Sequence, residues 1–193
     1  MNPLETLAAW LAEAESARLV EPAAMALATL SPAGVPSVRY VLCRGVDARG
    51  VRFFTNYDSM KAHDLDGTGR AACAFHWAAL HRQVRIEGHV VRATAEESDA
   101  YFQARPRGHQ LAAAVSPQSR PIASLEDLRA RYQELETRLA GAPVPRPEGW
   151  GGYWLIAQAV ELWRAGGDRM HDRVRYERSE GGAMWSEGVR LAP

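Results

Sequence analysis

A mainly β, α+β fold, with antiparallel strands and flanking helices, is what this 193-residue sequence predicts. Three observations carry that expectation. Short runs with period-two alternation recur between turns from Ala24 to Ala93, the spacing of an antiparallel sheet that closes into a barrel. Strand texture returns at Tyr153, beyond a helical stretch, so the last strands are expected to complete the first sheet. With 47% hydrophobic residues, the chain is long enough for one sizeable core and short for two. The expected organisation is therefore a single domain over residues 1–193.

The elements follow in order. A helix over residues 2–18 opens with Asn2 as cap, Pro3 at its first position and Glu5 closing a capping box. Leu4, Leu7, Ala8, Leu11 and Ala12 form its apolar face. Barrel strands fill residues 24–93: "AMALATL", "VPSVRYVLCR", "VRFFTN", "AACAFHW" and "RQVRIEGHVVRA". A helical insert spans residues 94–140 and contains two helices. Thr94 and Glu97 box the first, which Pro106 stops, and Ser124 and Asp127 open the second. Leu125, Leu128, Tyr132, Leu135 and Leu139 lie on one stripe of that second helix. After the Pro/Gly-rich loop 141–152, the C-terminal strands occupy residues 153–193, the last of them in "AMWSEGVRLAP".

Composition narrows the function. The 23 basic and 23 acidic residues cancel, so no overall field recruits nucleic acid or an anionic membrane. No apolar run approaches the ~18 residues of a membrane span, and Met1–Glu5 has no signal-peptide shape. Cys43 and Cys73 form neither a disulfide framework nor a zinc spacing, so no metal is expected and a reducing cytoplasm is the default. There is no Walker loop, dinucleotide fingerprint or nucleophile elbow. Among the 23 basic residues only Lys61 is a lysine; the rest are arginines, whose forked donors suit phosphates and carboxylates.

Four stretches concentrate chemistry. Alternation in "VRYVLCR" sets Arg39, Val41 and Cys43 on one face and Tyr40, Leu42 and Arg44 on the other. Arg39 is either at a water-facing edge or buried against a partner, because an unpartnered buried guanidinium costs several kcal/mol. "FFTNYDSMKAHDL" runs from strand through turn to helix. Asp58 or Ser59 can cap that helix, and its free donors, with Thr55, Ser59 and Lys61, form a plausible phosphate cradle. "YFQARPRGHQ" places Tyr101 and Arg105 on one helical face, with Arg107 and His109 just beyond Pro106. In "RMHDR", an extended chain puts Arg169, His171 and Arg173 on one face, either a solvated edge or half of an anion site. With no catalytic acid pair in view, this set looks more like a binder of phosphorylated cofactors than a hydrolase.

Taken in order, "EPAAMALATL", "FFTNYDSMKAHDL", "HWAALHRQVRIEGHV", "YFQARPRGHQ", "SPQS", "PRPEGWGGYWL", "ELWRAGGDRMHDRVRY" and the terminal "RLAP" resemble the pyridoxine/pyridoxamine 5'-phosphate oxidases. The resemblance runs from about Pro3 to Pro193. It implies the split-barrel FMN-binding fold, acting as a homodimer with FMN at the subunit interface. By position it assigns Arg39 and Lys61 to the FMN phosphate, and Tyr40, Val41, Leu42, Cys43 and Arg44 alongside the cofactor. Phe54 and Thr55 contact it from the next strand, and Gln83, Gln118, Ser119, Trp163 and Arg173 complete its site. On the substrate side, Arg44, Tyr101, Arg105 and His109 match the positions that hold the vitamer phosphate. Arg169 and His171 flank its ring as the catalytic pair. The implied reaction oxidises pyridoxamine or pyridoxine 5'-phosphate to pyridoxal 5'-phosphate, with O₂ as electron acceptor and H₂O₂ as product. Flavin carries the redox chemistry while the protein aligns two rings and neutralises two phosphates.

The sequence departs from the family pattern at several positions. Arg44 stands where lysine is usual, Met60 replaces an arginine beside Lys61, and His109 stands where serine is common. Ala112 and Ala114 replace a usual Gly and Trp, and the chain opens at the first helix without the extension that covers the substrate in better-known members. These departures leave two alternatives: an FMN oxidase of another ring compound, of the phenazine-biosynthesis type, or a non-catalytic FMN- or pyridoxal-phosphate-binding protein.

Overall fold

The computed structural model describes residues 2–178, 182 and 184–193. Met1, residues 179–181 and Ala183, which falls in the predicted last strand, lie outside the described residues. Helix α1 (Pro3–Ser16) is capped by Asn2, whose side chain accepts from the Leu4 N–H at 3.1 Å. Pro3 sits where its missing N–H costs nothing. Glu5 reaches the Asn2 side-chain amide at 3.4 Å, in place of the backbone N–H that a capping box engages. Leu4, Leu7, Trp10 and Ala14 are buried, and this face packs on the barrel.

The barrel strands are β1 (Ala24–Leu30), β2 (Pro36–Leu42), β3 (Gly50–Asn56), β4 (Arg70–Trp77), β5 (Arg82–Arg92) and β6 (Trp150–Arg164), with α2 (Met60–Thr68) between β3 and β4. All pair antiparallel, in the order β2-β1-β4-β5-β6, and β3 pairs with the first half of β6. The chain beyond β2 then closes the ring onto β3: the Arg44 N–H donates to the Arg52 carbonyl, the Arg52 N–H to the Gly45 carbonyl, and Val46 bridges Val51. Closure removes the sheet edges, and the inward row of each strand fills the interior with Met25, Leu27, Phe53, Phe75, Ile86 and Leu155. A bulge at Glu87/Gly88 lets β5 follow β6 for its whole length. Only glycine fits at 88, since a Cβ there would lie 1.9 Å from the Ile156 carbonyl oxygen.

Beyond the barrel, the second half of β6 continues into β7 (Asp172–Glu177) and β8 (Val189–Leu191). The final strands thus join the sheet of the first ones, as the returning strand texture predicts. The helical insert departs from its prediction. It holds three helices, α3 (Ala95–Ala104), α4 (Arg107–Val115) and α5 (Leu125–Leu139). Pro106 does end α3, but it also occupies the N-cap position of α4, where a missing donor is tolerated. The predicted capping box of Thr94 and Glu97 is present, and Ser124 accepts from the Asp127 N–H. These helices cover a second, smaller core of Phe102, Leu111, Val144 and Trp150. The C-terminal part of the α5 stripe, Tyr132, Leu135 and Leu139, packs on it, whereas Leu125 stays 53% exposed.

"RMHDR" is the other correction. Residues Gly167–Arg169 form a tight turn, with Asp168 and Arg169 at φ of 53° and 63°, and β7 begins only at Asp172. Period-two alternation therefore does not relate Arg169 to His171. Met170 is exposed, and Asp172 pairs with Arg190 at 3.0 Å.

Candidate active site: a cation-lined cavity beside the barrel

A cavity of about 550 Å³ opens between β2, β3, α2 and the helical insert. It gathers most of the predicted site residues. Arg39, Tyr40, Val41, Leu42 and Arg44 come from β2 and the residues just after it, and Phe54 and Thr55 from β3. Lys61 comes from α2, Tyr101 and Arg105 from α3 and its end, His109 from α4, and Gln118 from the loop beyond. No Asp or Glu lines it among the described residues, although four basic side chains do.

The first cation pair is Arg39 and Lys61. Arg39 is not at a wet edge: it is half-buried, with Nη1 donating to Thr29 Oγ1 at 2.6 Å and Nη2 to Ser37 Oγ at 2.8 Å. Burial pulls its pKa down, and the nearby Asp64 carboxylate opposes that shift. Lys61 is 9% exposed. Burial, then the neighbouring Arg39 charge, lowers its pKa. Among the described residues its ammonium reaches Thr55 Oγ1 (3.2 Å), Ser59 Oγ (3.3 Å) and Gln118 Oε1 (3.3 Å). Ser59 stands at the N-cap of α2, yet its side chain makes no capping bond there. Gln118 Oε1 also accepts from Thr55 Oγ1 at 2.9 Å and from the Asn56 N–H at 3.4 Å. Three donors thus converge on one oxygen, beside a buried ammonium that has no carboxylate partner among the described residues. That is the donor set an anionic oxygen needs.

The second pair is Arg44 and Arg105. Burial is the main cause of the lowered Arg105 pKa, and the Arg44 charge adds to it. Arg105 Nη1 is buried without a hydrogen-bond partner, and its guanidinium lies 4.8 Å from the Trp150 ring centre. Phe54 stacks on Tyr101 at 4.0 Å between centroids and on Trp150 at 5.5 Å, giving the cavity a wall of parallel rings. Sequence reasoning missed Trp150 as a lining residue, though it sits in the quoted "PRPEGWGGYWL". It also missed Thr29 and Asp64 behind Arg39. The signal for Thr29 is a polar residue on the inward row of Met25 and Leu27.

Other predicted residues lie elsewhere. Cys43 is buried in the barrel core and is not among the lining residues. Ser119 follows Gln118 at φ 67° and is not among the lining residues. Gln83, Trp163 and Arg173 form one cross-strand row on β5, β6 and β7, apart from the cavity. Arg173 Nε donates to the buried Glu161 at 2.9 Å, and the His171 ring lies 4.7 Å from Trp163. Arg169 is in the exposed turn just before. The chain therefore presents two separate groups, a cavity and a patch.

The comparisons with known proteins cover most of the chain. Residues 11–138 match the family model described as pyridoxamine 5'-phosphate oxidase, and residues 150–193 match the pyridoxine 5'-phosphate oxidase C-terminal dimerisation region. The chain belongs to the pyridoxamine 5'-phosphate oxidase family. It is 47% identical over 192 residues to the pyridoxine/pyridoxamine 5'-phosphate oxidase of Rubrobacter xylanophilus, covering all of this chain and 87% of that one. The Bordetella avium protein of the same name is 49% identical, with 100% and 90% covered. Among solved structures, PhzG from Burkholderia lata, in complex with tetrahydrophenazine-1-carboxylic acid, superposes with a TM-score of 0.92 at 36% identity, covering 100% of this chain and 93% of that one. An FMN-binding protein related to the family, from Nostoc punctiforme, has a TM-score of 0.79 at 18% identity, with 100% and 98% covered, and so supports the fold. The split-barrel flavin-binding fold is thus established, and with the family come its cofactor, FMN, and its class, FMN-dependent oxidoreductase. The residues present suit that cofactor: Arg39, Lys61 and Thr55 offer a phosphate its donors, and β2 and Phe54 offer a flat ring its walls.

Proposed function

We propose that this protein oxidises pyridoxamine or pyridoxine 5'-phosphate to pyridoxal 5'-phosphate as a homodimer. Electrons pass to O₂, and the oxygen leaves as H₂O₂. The alcohol substrate loses two electrons and two protons at C4'; the amine loses the same and takes up water to release ammonia. The carrying observation is one cavity with two separate cation pairs and, among the described residues, no lining carboxylate. One phosphate neutralises one pair, so two pairs suit a phosphorylated flavin and a phosphorylated substrate together.

In this reading Arg39 and Lys61 hold the FMN phosphate, and Tyr40, Val41, Leu42, Phe54 and Thr55 flank the cofactor. Gln118 and Ser119 close that side. Arg44, Tyr101, Arg105 and His109 take the substrate phosphate. Bound FMN supplies the two-electron redox chemistry, and the chain supplies binding, orientation and exclusion of water. The Gln83, Trp163 and Arg173 row does not line the same chain's cavity, which supports a site completed by a second copy through the dimerisation region. Arg169 and His171, next to that row, then flank the substrate ring. Met60 is exposed at the start of α2 and adds no cation, so the FMN phosphate depends on Arg39 and Lys61.

A second reading is favoured by the likeness to PhzG and by the small Ala112 and Ala113 side chains on the cavity wall, which leave room for a wider ring. Comparing kcat/KM for pyridoxine 5'-phosphate, unphosphorylated pyridoxine and a reduced phenazine carboxylate separates the two. Charge-assisted bonds to a phosphate contribute about 1.5–3 kcal/mol each, so the phosphate ester should lead pyridoxine by about 100-fold or more. Equal rates with and without the phosphate, or a faster phenazine, would contradict the vitamer assignment.

A further inference from the structure

Arg39 is aimed by groups that do not touch the cavity's contents. Its Nη1 donates to Thr29 Oγ1 at 2.6 Å, and Thr29 Oγ1 donates in turn to Asp64 Oδ2 at 2.6 Å. Thr29 is 3% exposed and Asp64 is 7% exposed, and neither lines the cavity. The direction of these bonds is forced. A guanidinium has only donors, so the hydroxyl must turn a lone pair towards Arg39 and send its single proton elsewhere. Asp64, on α2, supplies the acceptor that receives it. Without that acceptor, the hydroxyl is free to rotate its proton towards the guanidinium and lose the bond.

The placement also explains two residues with no other role in the core. Thr29 continues the inward row of Met25 and Leu27, where an aliphatic side chain would fill the barrel better. Asp64 Oδ2 lies 3.7 Å from Arg39 Nη2, so the carboxylate also offsets part of the cost of holding that charge out of water. The remaining bonds of the fork go to the Leu27 carbonyl on β1 and to Ser37 Oγ on Arg39's own strand, β2.

We propose that Thr29 and Asp64 are positioning residues: a hydroxyl relay from α2 through β1 that holds the Arg39 guanidinium in the orientation that receives the FMN phosphate. The proposal rests on the assignment of Arg39 to that phosphate. The relay makes affinity for the phosphate, and not for the isoalloxazine ring, depend on two residues outside the site.

The test titrates apoprotein with FMN and with riboflavin, which lacks the phosphate, by flavin fluorescence quenching. T29V, which keeps the shape and removes the hydroxyl, should weaken FMN about tenfold and leave riboflavin affinity unchanged. T29S should restore FMN binding, and T29A, measured alongside, should reproduce T29V. D64A should behave like T29V, whereas D64N, which keeps an acceptor and removes only the charge, should stay within about threefold of the parent. In an R39Q background, T29V should have no further effect, because both changes remove one function. Equal loss of FMN and riboflavin in T29V would make Thr29 merely structural and overturn the relay, as would additivity with R39Q. Unchanged FMN binding in T29V, with R39Q impaired, would overturn the relay alone. Unchanged FMN binding in R39Q would overturn the phosphate assignment and the relay with it.

Discussion

Lys61, the one lysine of the sequence, sits in a pocket of hydroxyls and an amide oxygen. Burial, and then the charge of Arg39, holds its pKa below the ordinary 10.5. The sign of the consequence follows from proton counting. Between the lowered folded value and 10.5 the unfolded chain binds more protons, so the stability of the apoprotein rises with pH across that window. Bound phosphate acts in the opposite sense, because a dianion favours the ammonium. FMN affinity should therefore fall as pH climbs through the folded pKa of Lys61, which lies below that of a solvent-exposed lysine. Dissociation constants measured from pH 7 to pH 10 check this. K61R, which keeps its charge throughout, should flatten the profile, and K61M should bind FMN at least about tenfold more weakly at pH 7. An unchanged slope in K61R would mean that another group titrates.

At the scale of elements, the turn between β6 and β7 is tightly specified by backbone geometry. The Gly166 N–H donates to His171 Nδ1 at 3.3 Å, and the Met170 N–H returns to the Gly167 carbonyl at 2.9 Å. A Cβ on Gly166 would lie 1.9 Å from the Met170 carbonyl oxygen. G166A must therefore open the turn and displace Arg169 and His171, while the barrel below is untouched. The expected result is a fall in kcat/KM of about tenfold or more, with a change of no more than a few degrees in Tm. A Tm loss that tracks the activity loss would make the turn a folding element instead. This turn also marks where sequence reading failed. Alternating charges in "RMHDR" suggest a strand, and the left-handed pair Asp168 and Arg169 leaves no trace beyond the preceding glycines. Helix α4 escaped for a related reason: Pro106 reads as a stop, and nothing local says that it also starts a helix. By contrast, the caps at Asn2, Thr94 and Ser124 were legible because capping chemistry is local.

For the whole molecule, the antiparallel barrel was legible because inward rows such as Met25 and Leu27, or Val84 and Ile86, alternate in the chain itself. Its closure through Gly45 and Val46 was not, since these two residues fall between the predicted strands and carry no strand pattern. The same contrast holds for the site. Arg39, Lys61, Tyr101 and Arg105 converge on one cavity although they come from three different elements, and their resemblance to a family named them before geometry could. Of the relay behind Arg39 only Thr29, a polar residue on an inward row, leaves a sequence signal; its link to Asp64 depends on α2 packing against β1. No helix among the described residues is long and apolar enough to cross a membrane.

On the proposed reading the cavity holds two phosphates, the flavin's own and the substrate's, and one spectrum tests that reading directly. The FMN-loaded protein is mixed anaerobically with pyridoxine 5'-phosphate, and the flavin absorbance near 450 nm is followed, with ~450 nm taken as the oxidised-flavin band. Bleaching at the rate of turnover, with the colour restored by O₂ and pyridoxal 5'-phosphate formed in equal amount, is the predicted result. A flavin that stays oxidised while the vitamer is demonstrably bound would contradict the account and leave a binding protein in its place.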